Sequence, residues 1–174
     1  KDKENDVDQA AAPEAVNRPV VVDSSALLLS SQLTGGDRLR GKFTELLLPA
    51  ISRRDIVRAT IEVRGLASSP GSLAWDDQTQ RPAFSELNAI DLLRYQSRAE
   101  ALESAAEETV AHPVQAMSLF PDLSDGGVDD VWLAPIQLAH DTSTALWSDD
   151  LGQRRLARSV GVHAFGTPSL VDFL

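Results

Sequence analysis

Short apolar runs alternate with segments of helical character along this chain, and the alternation limits it to a few folds. The clearest runs are "PVVV" at 19–22, "KFTELLLP" at 42–49, "TALW" at 144–147 and "VHAF" at 162–165. Runs rich in Val and Leu are typical of strands that are buried on both faces. Strands that alternate with helices predict an α/β sandwich around a mostly parallel sheet.

The length of 174 residues suits one domain, and we expect that domain over 19–174. Residues 1–18, "KDKENDVDQAAAPEAVNR", show no sustained apolar period, so we predict a disordered tail or linker there. The stretch "SLAWDDQTQRPAF" predicts a β-hairpin with its turn at "DDQT". The chain begins with Lys1 rather than Met, so we expect it to be part of a longer protein.

Composition excludes several classes of function. The chain has no cysteine, which removes disulfides, thiol catalysis and cysteine-bound zinc, and which fits a cytoplasmic protein. No apolar run reaches the length of a membrane span, so we expect no membrane partner. The net charge of −10 opposes unspecific capture of nucleic acid, although a local basic stripe matters more than the sum. No glycine-rich nucleotide-binding motif occurs.

Aspartates gather where the predicted strands end or the following helices begin. One follows the first strand, one lies in the helix after the second strand, two open the helix before "TALW", and two come directly after "TALW": Asp23, Asp55, Asp129, Asp130, Asp149 and Asp150. In parallel sheets, sites form outside the carboxyl ends of the strands. If the first, second and fourth strands are neighbours, these carboxylates converge on one edge of the sheet.

Converging carboxylates need a counterion. Two of them about 5 Å apart repel by roughly 3 kcal/mol at an effective dielectric near 20. Hard oxygen ligands without His or Cys favour Mg²⁺ or Mn²⁺. Each aspartate also has a simpler interpretation. Asp55 suits a surface ion pair with a neighbouring arginine. The others suit helix caps or first turns: Asp23, Asp129, Asp130, Asp149 and Asp150.

Four stretches together resemble the PIN-domain family of metal-dependent nucleases. They are "VVVDSSALL" at 20–28, "LLLPAISRRDIVRA" at 46–59, "VDDVWLAPIQLA" at 128–139 and "LWSDDLGQRRLARSVGVHAFGT" at 146–167. The resemblance implies a three-layer α/β/α sandwich with strand order 3-2-1-4-5. It is weak through 67–127, where the chain carries an enlarged middle segment.

The resemblance assigns the acids one by one. The family's first acid, an Asp before Ser or Thr, matches Asp23 before Ser24, and its second matches Asp55. Its third matches Asp130, with Asp129 as the less favoured register. Its fourth follows Ser148 by two positions and matches Asp150, a role that Asp149 could share. The implied activity is endoribonuclease cleavage by water bound to Mg²⁺ or Mn²⁺, with Ser24, Ser148 and Asp129 as secondary site residues.

Basic side chains near these acids are the candidates for phosphate contacts. Arg53 and Arg54 precede Asp55, and Arg154 and Arg155 lie on the helix that opens at the final aspartates. The usual interpretation of such charge runs is a solvated helix face. We therefore expect RNA as the partner, and we rank these four arginines below the acids.

Two alternatives to a nuclease stay open at the level of sequence. The second acid of the family is usually Glu, and Asp55 reaches about one methylene less far. A catalytically degenerate PIN-like module would keep the fold and serve as an interaction or regulatory domain of a larger protein. For either function, a protein inhibitor, other domains of a longer chain or a second copy are further candidate partners. An unrelated Rossmann-like ligand domain would leave the acids scattered.

Overall fold

A computed structural model describes residues 3–66, 71–77, 80–86, 88–114, 117–121 and 130–174. The strands are β1 (Pro19–Val22), β2 (Glu45–Pro49), β3 (Gly71–Asp76), β4 (Arg81–Glu86), β5 (Val110–His112), β6 (Ala145–Trp147) and β7 (Ala164–Phe165). The helices are α1 (Lys3–Ala15), α2 (Ser24–Gln32), α3 (Gly36–Arg40), α4 (Ala50–Gly65), α5 (Ala89–Glu107), α6 (Asp130–Thr142), α7 (Leu151–Ser159) and α8 (Thr167–Phe173).

Five strands form one parallel sheet in the order β5-β2-β1-β6-β7. Counted along the chain within that sheet, the order is 3-2-1-4-5, so the topology expected from the PIN resemblance is confirmed. Val21 in the central strand lies opposite Leu47 on one side and Leu146 on the other. The remaining strands, β3 and β4, pair antiparallel as the predicted hairpin. Residues 78–79 of its turn lie outside the described residues.

Helices cover both faces of the sheet, as the α/β/α prediction requires. Alternate side chains of a strand point to opposite faces. Val20 and Val22 therefore join one core cluster with residues of α1, α2, α5 and α8, whereas Val21 joins another with residues of α6 and α7. Trp147 and Phe165 stack in the first cluster with ring centroids 6.5 Å apart. Among the described residues, no helix is long and apolar enough to cross a membrane.

The prediction of a disordered tail over residues 1–18 is wrong for most of that stretch. Lys3–Ala15 form α1, which packs against α8 and β7. Its buried face contains Ala11, Ala12 and Ala15, and Asp8 is only 5% exposed. The sequence pattern concealed this helix because alanines make a weak apolar face. The charged partners of Asp8 also lie far along the chain, on α7.

Candidate functional site

Five residues meet at the carboxyl ends of the neighbouring strands β1 and β6. We call Asp23, Ser25, Ser148, Asp149 and Asp150 the edge cluster. Asp23 follows β1 directly, and Ser148 follows β6. The hydroxyl of Ser148 donates to Oδ2 of Asp23 at 3.1 Å and accepts the backbone N–H of Asp150 at 3.1 Å. One serine thus connects the end of the central strand to the turn that opens α7.

Asp23 is the buried carboxylate of the edge cluster. It is the N-cap of α2, and its Oδ1 accepts the N–H of Ala26 at 2.8 Å. The Ser25 hydroxyl lies 2.9 and 2.8 Å from its two oxygens. Burial raises the pKa of Asp23, and these hydrogen bonds oppose the rise only in part. Within the described part of the chain, no cationic side chain contacts Asp23, so hydrogen bonds alone offset part of the cost of its buried charge.

Asp150 differs from Asp23 in environment. It is the N-cap of α7, with Oδ1 accepting the N–H of Gln153 at 3.0 Å and Oδ2 accepting the indole N–H of Trp132 at 2.9 Å. The Trp132 hydrogen bond is the largest cause that lowers the pKa of Asp150, and the charge of Arg154 lowers it further. Asp150 is therefore a helix cap, and its carboxylate stays ionised at neutral pH.

Asp149 turns away from the other two carboxylates toward α8. Its Oδ1 accepts the N–H of Thr167 at 2.8 Å, and its Oδ2 accepts the Thr167 hydroxyl at 2.6 Å. The backbone N–H of Asp149 donates to Ser25 Oγ at 3.0 Å. From the sequence, Thr167 suits a turn or a cap, and nothing in that pattern names Asp149 as its partner. With Thr167 bound at both of its oxygens, Asp149 holds α8 in place.

The serine that contacts Asp23 in the edge cluster is Ser25, and not Ser24 as the resemblance implied. The hydroxyl of Ser25 bonds Asp23 and accepts from Asp149, whereas no such contact is found for Ser24 among the described residues. The physical reason is the geometry of the cap. Asp23 itself bonds the third residue along, Ala26, and this brings the side chain of the second residue, Ser25, back onto the carboxylate.

Asp55 and Asp130 lie on helix surfaces rather than in the edge cluster. Asp55 forms an ion pair with Arg58, one turn further along α4, and its side chain is 38% exposed. Asp130 is exposed in the first turn of α6. Asp129 falls outside the described residues. Within the described ranges, no group of three or more Asp, Glu or His side chains is placed to hold a metal ion. Of the predicted acids, Asp23, Asp149 and Asp150 thus meet in the edge cluster, whereas Asp55 and Asp130 lie outside it.

Three of the four candidate arginines are half-buried or exposed, and the fourth, Arg154, is largely buried. Arg53, half-buried, and Arg54, exposed, lie in the first turns of α4, which begins directly after β2 at the same edge of the sheet. Arg155 is exposed on α7. Arg154 differs from the prediction. Its side chain is 12% exposed, and its guanidinium donates to the Ser148 carbonyl at 2.9 Å and pairs with Asp8. This placement does not agree with a role in binding phosphate.

The oxygen atoms of the edge cluster are candidate ligands for a divalent ion. The cluster offers carboxylate and hydroxyl oxygens and no nitrogen or sulfur ligand, which suits Mg²⁺ or Mn²⁺. Mg²⁺ is commonly held by one or two carboxylates, with water and phosphate completing its shell. Asp23 and Asp150 fit that limited role, and burial of Asp23 without a cationic partner favours a cation there. The described residues do not fit a closed cage of four acids.

One comparison with known proteins places this architecture in a family. A family model described as a PIN domain associated with the TPR-GreAB-C-PIN system matches residues 21–159. The chain belongs to the PIN-domain family. A comparison with curated proteins finds no match. PIN domains are generally nuclease-like and generally use divalent metal ions. The matched range of this PIN domain includes all the candidate acids, whereas α1 and α8 lie outside it.

Proposed function

We propose that this PIN domain is an endoribonuclease that hydrolyses RNA phosphodiesters with Mg²⁺ or Mn²⁺. The proposal depends on one observation, the burial of the Asp23 carboxylate. A carboxylate that is 5% exposed, with its pKa raised by burial, is costly to keep ionised beside a second carboxylate. A bound cation would remove that cost. Family membership supplies the expectation of nuclease chemistry.

In this proposal, Asp23 and Asp150 hold the ion. A bound divalent ion would supply a water of lowered pKa and stabilise charge on the phosphate. The chain's own residues do the rest. Ser148 keeps Asp23 and the Asp150 backbone in fixed register. Trp132 holds the Asp150 carboxylate ionised and oriented. Asp149 has a positioning role through Thr167.

Asp55 and Asp130 are the outer members of the proposed metal set. Asp55 would exchange its ion pair with Arg58 for the metal, and the cost is small because exposed pairs are worth about 0–1 kcal/mol. Arg53 and Arg54 would contribute positive charge for the RNA backbone at the same edge, and Arg155 would contribute from α7. An overall charge of −10 makes such local basic positions necessary for RNA to approach.

The test is calorimetric titration with Mn²⁺ at neutral pH. We expect wild type to bind, Asp23→Asn and Asp150→Asn to lose about tenfold or more in affinity, and Asp55→Asn to lose less. Asp37→Asn is the matched control, because it removes one exposed carboxylate from the first turn of another helix. Mn²⁺-dependent cleavage of single-stranded RNA should follow the same ranking. Equal binding by wild type and Asp23→Asn would contradict the proposal.

A catalytically degenerate PIN module is the second candidate function. It is favoured by the hydrogen bonds that already engage the carboxylates of Asp149 and Asp150, and by Asp55 where the family usually has Glu. The domain would then serve as an interaction or regulatory part of a larger assembly, with a partner from the TPR-associated system that the family description names. This candidate predicts no Mn²⁺-dependent rise in melting temperature and no RNA cleavage.

A further inference from the structure

A buried carboxylate on α1 is connected to the candidate site through one arginine. Asp8 is 5% exposed and lies outside the range that the family model matches. Its Oδ2 is 3.2 Å from Nε of Arg154, and its Oδ1 pairs with Arg158. Both arginines belong to α7, the helix that Asp150 caps. One carboxylate thus forms ion pairs with two guanidinium groups that are 12% and 19% exposed.

Each arginine also donates to a backbone carbonyl, one directly after β6 and the other in β7. Arg154 donates from Nη1 to the Ser148 carbonyl at 2.9 Å, and Arg158 donates from Nη2 to the Ala164 carbonyl at 3.0 Å. Ser148 is the residue whose hydroxyl bridges Asp23 and Asp150. The path from Asp8 to the edge cluster therefore contains a single intermediate side chain, Arg154.

Space around the Arg154 guanidinium is closed on the side of Gly166. A Cβ atom at Gly166 would lie 3.2 Å from Arg154 Nη1 and 3.2 Å from Asp149 Oδ1. These distances are tighter than ordinary contacts, so guanidinium, carboxylate and backbone already pack against one another. The Arg154 guanidinium is therefore confined on this side, and Asp8 supplies the charge that favours its position.

We propose that Asp8 is a positioning residue for the edge cluster. Acting from α1 through Arg154, it fixes the Ser148–Asp150 turn and thereby the spacing of Asp23 and Asp150. A role of Asp8 in catalysis rests on the proposed function. The contacts from Asp8 through Arg154 to Ser148 do not depend on it. It follows that α1 supports the candidate site, although it lies outside the residues that the family model matches.

Two variants on α7 separate the link from a general loss of packing. Arg154→Gln and Arg158→Gln each leave Asp8 with one arginine, so both keep a paired buried charge. Only Arg154→Gln removes the bond to the Ser148 carbonyl. Asp8→Asn removes both pairs, with Asp8→Glu as the conservative rescue. If Asp8→Asn does not fold, Asp8→Glu still reports on Asp8, and the two α7 variants still test the Arg154 contact that the proposal requires.

The readout is hydrogen exchange at the backbone amides of Asp149 and Asp150. These amides donate to Ser25 Oγ and Ser148 Oγ, so their exchange reports on the turn itself. We expect about tenfold faster exchange in Arg154→Gln and less than about twofold in Arg158→Gln. Asp8→Asn should exchange as fast as Arg154→Gln. Its control is Glu108→Gln, which also deprives a buried arginine, Arg40, of its carboxylate but at another place in the fold. Equal exchange in wild type and Arg154→Gln would overturn the proposal.

Mn²⁺ affinity, measured on the same variants, separates this inference from the proposed function. We expect Arg154→Gln to weaken binding several-fold and Arg158→Gln to leave it unchanged. Binding by wild type that Arg154→Gln does not weaken would overturn the role of Asp8 at the site. If wild type binds no Mn²⁺, the proposed function fails, and the amide exchange of Asp149 and Asp150 still decides whether Asp8 positions the turn.

Discussion

The candidate acids occupy two kinds of position, and the contrast explains how far each is fixed. Asp23 and Asp150 stand where a strand passes into a helix, and both oxygens of each accept hydrogen bonds. Asp55 and Asp130 lie on helix surfaces, where Asp55 pairs with a neighbouring arginine and Asp130 is exposed. A strand-to-helix junction must satisfy its first free N–H groups, so it fixes the side chain that caps them.

This difference has a practical consequence for interpreting substitutions. In the fixed half of the site, one carboxylate serves both the fold and the proposed chemistry, so activity and stability change together. In the exposed half, a carboxylate can be removed with little cost to the fold. Loss of activity in Asp55 or Asp130 variants would therefore report on the site more directly than the same loss in Asp23 variants.

The largest predicted effect compares Asp23→Ala with Asp55→Ala. The first removes a helix cap and leaves the Ser25 and Ser148 hydroxyls without their acceptor. Relief of the buried charge offsets part of that loss, so we expect a fall of about 2 kcal/mol in the free energy of unfolding. The second breaks an exposed ion pair and should change it by less than about 0.5 kcal/mol. Urea denaturation measures both, and equal losses would remove the distinction between the two halves.

The next effect concerns Asp149, whose carboxylate serves the fold. Asp149→Ala and Thr167→Val together form a double-mutant cycle across the 2.6 Å hydroxyl–carboxylate bond. We expect a coupling energy of about 1–2 kcal/mol, because hydrogen bonds to charged groups are the stronger ones. The control cycle replaces Thr167→Val by Thr142→Val, whose hydroxyl bonds the Leu138 carbonyl. Coupling near zero in the first cycle would mean that Asp149 is available for other ligands.

Local pattern was sufficient for most of the fold. Strands such as "PVVV" and the hairpin around "DDQT" follow from apolar runs and turn residues that are close in sequence, and the order of the sheet follows from family resemblance. The cap interpretation of Asp23 and Asp150 and the surface ion pair of Asp55 are likewise local, and the structure confirms them.

Contacts between distant residues account for what the sequence did not reveal. Asp8 pairs with side chains about 150 positions away, and the sequence of α1 contains no pattern that predicts these partners. Asp149 finds Thr167 through the fold, 18 positions further on. Arg154 looked like a surface charge because its helix is otherwise polar, yet it points inward to Asp8. Pattern therefore placed each residue on its element, and tertiary contacts decided what its side chain does.

The smallest predicted effect separates Asp23 from Asp150 by the sign of their pH dependence. The pKa of Asp23 is raised from its ordinary value of 3.8, so its stabilising contribution is complete below that value and is lost as pH rises through the folded pKa. The pKa of Asp150 is lowered from 3.8, so its contribution is complete above that value and is lost as pH falls through the folded pKa. Unfolding free energies of wild type, Asp23→Asn and Asp150→Asn, measured across acid and neutral pH, should therefore diverge in opposite directions. Relative to Asp23→Asn, wild type loses stability with rising pH, and relative to Asp150→Asn it gains stability.

Trp132→Phe provides a control for the Asp150 trend. It should weaken that pH dependence, because the indole hydrogen bond is the main cause of the lowered pKa of Asp150. Trends of the same sign would mean that the two carboxylates share one environment.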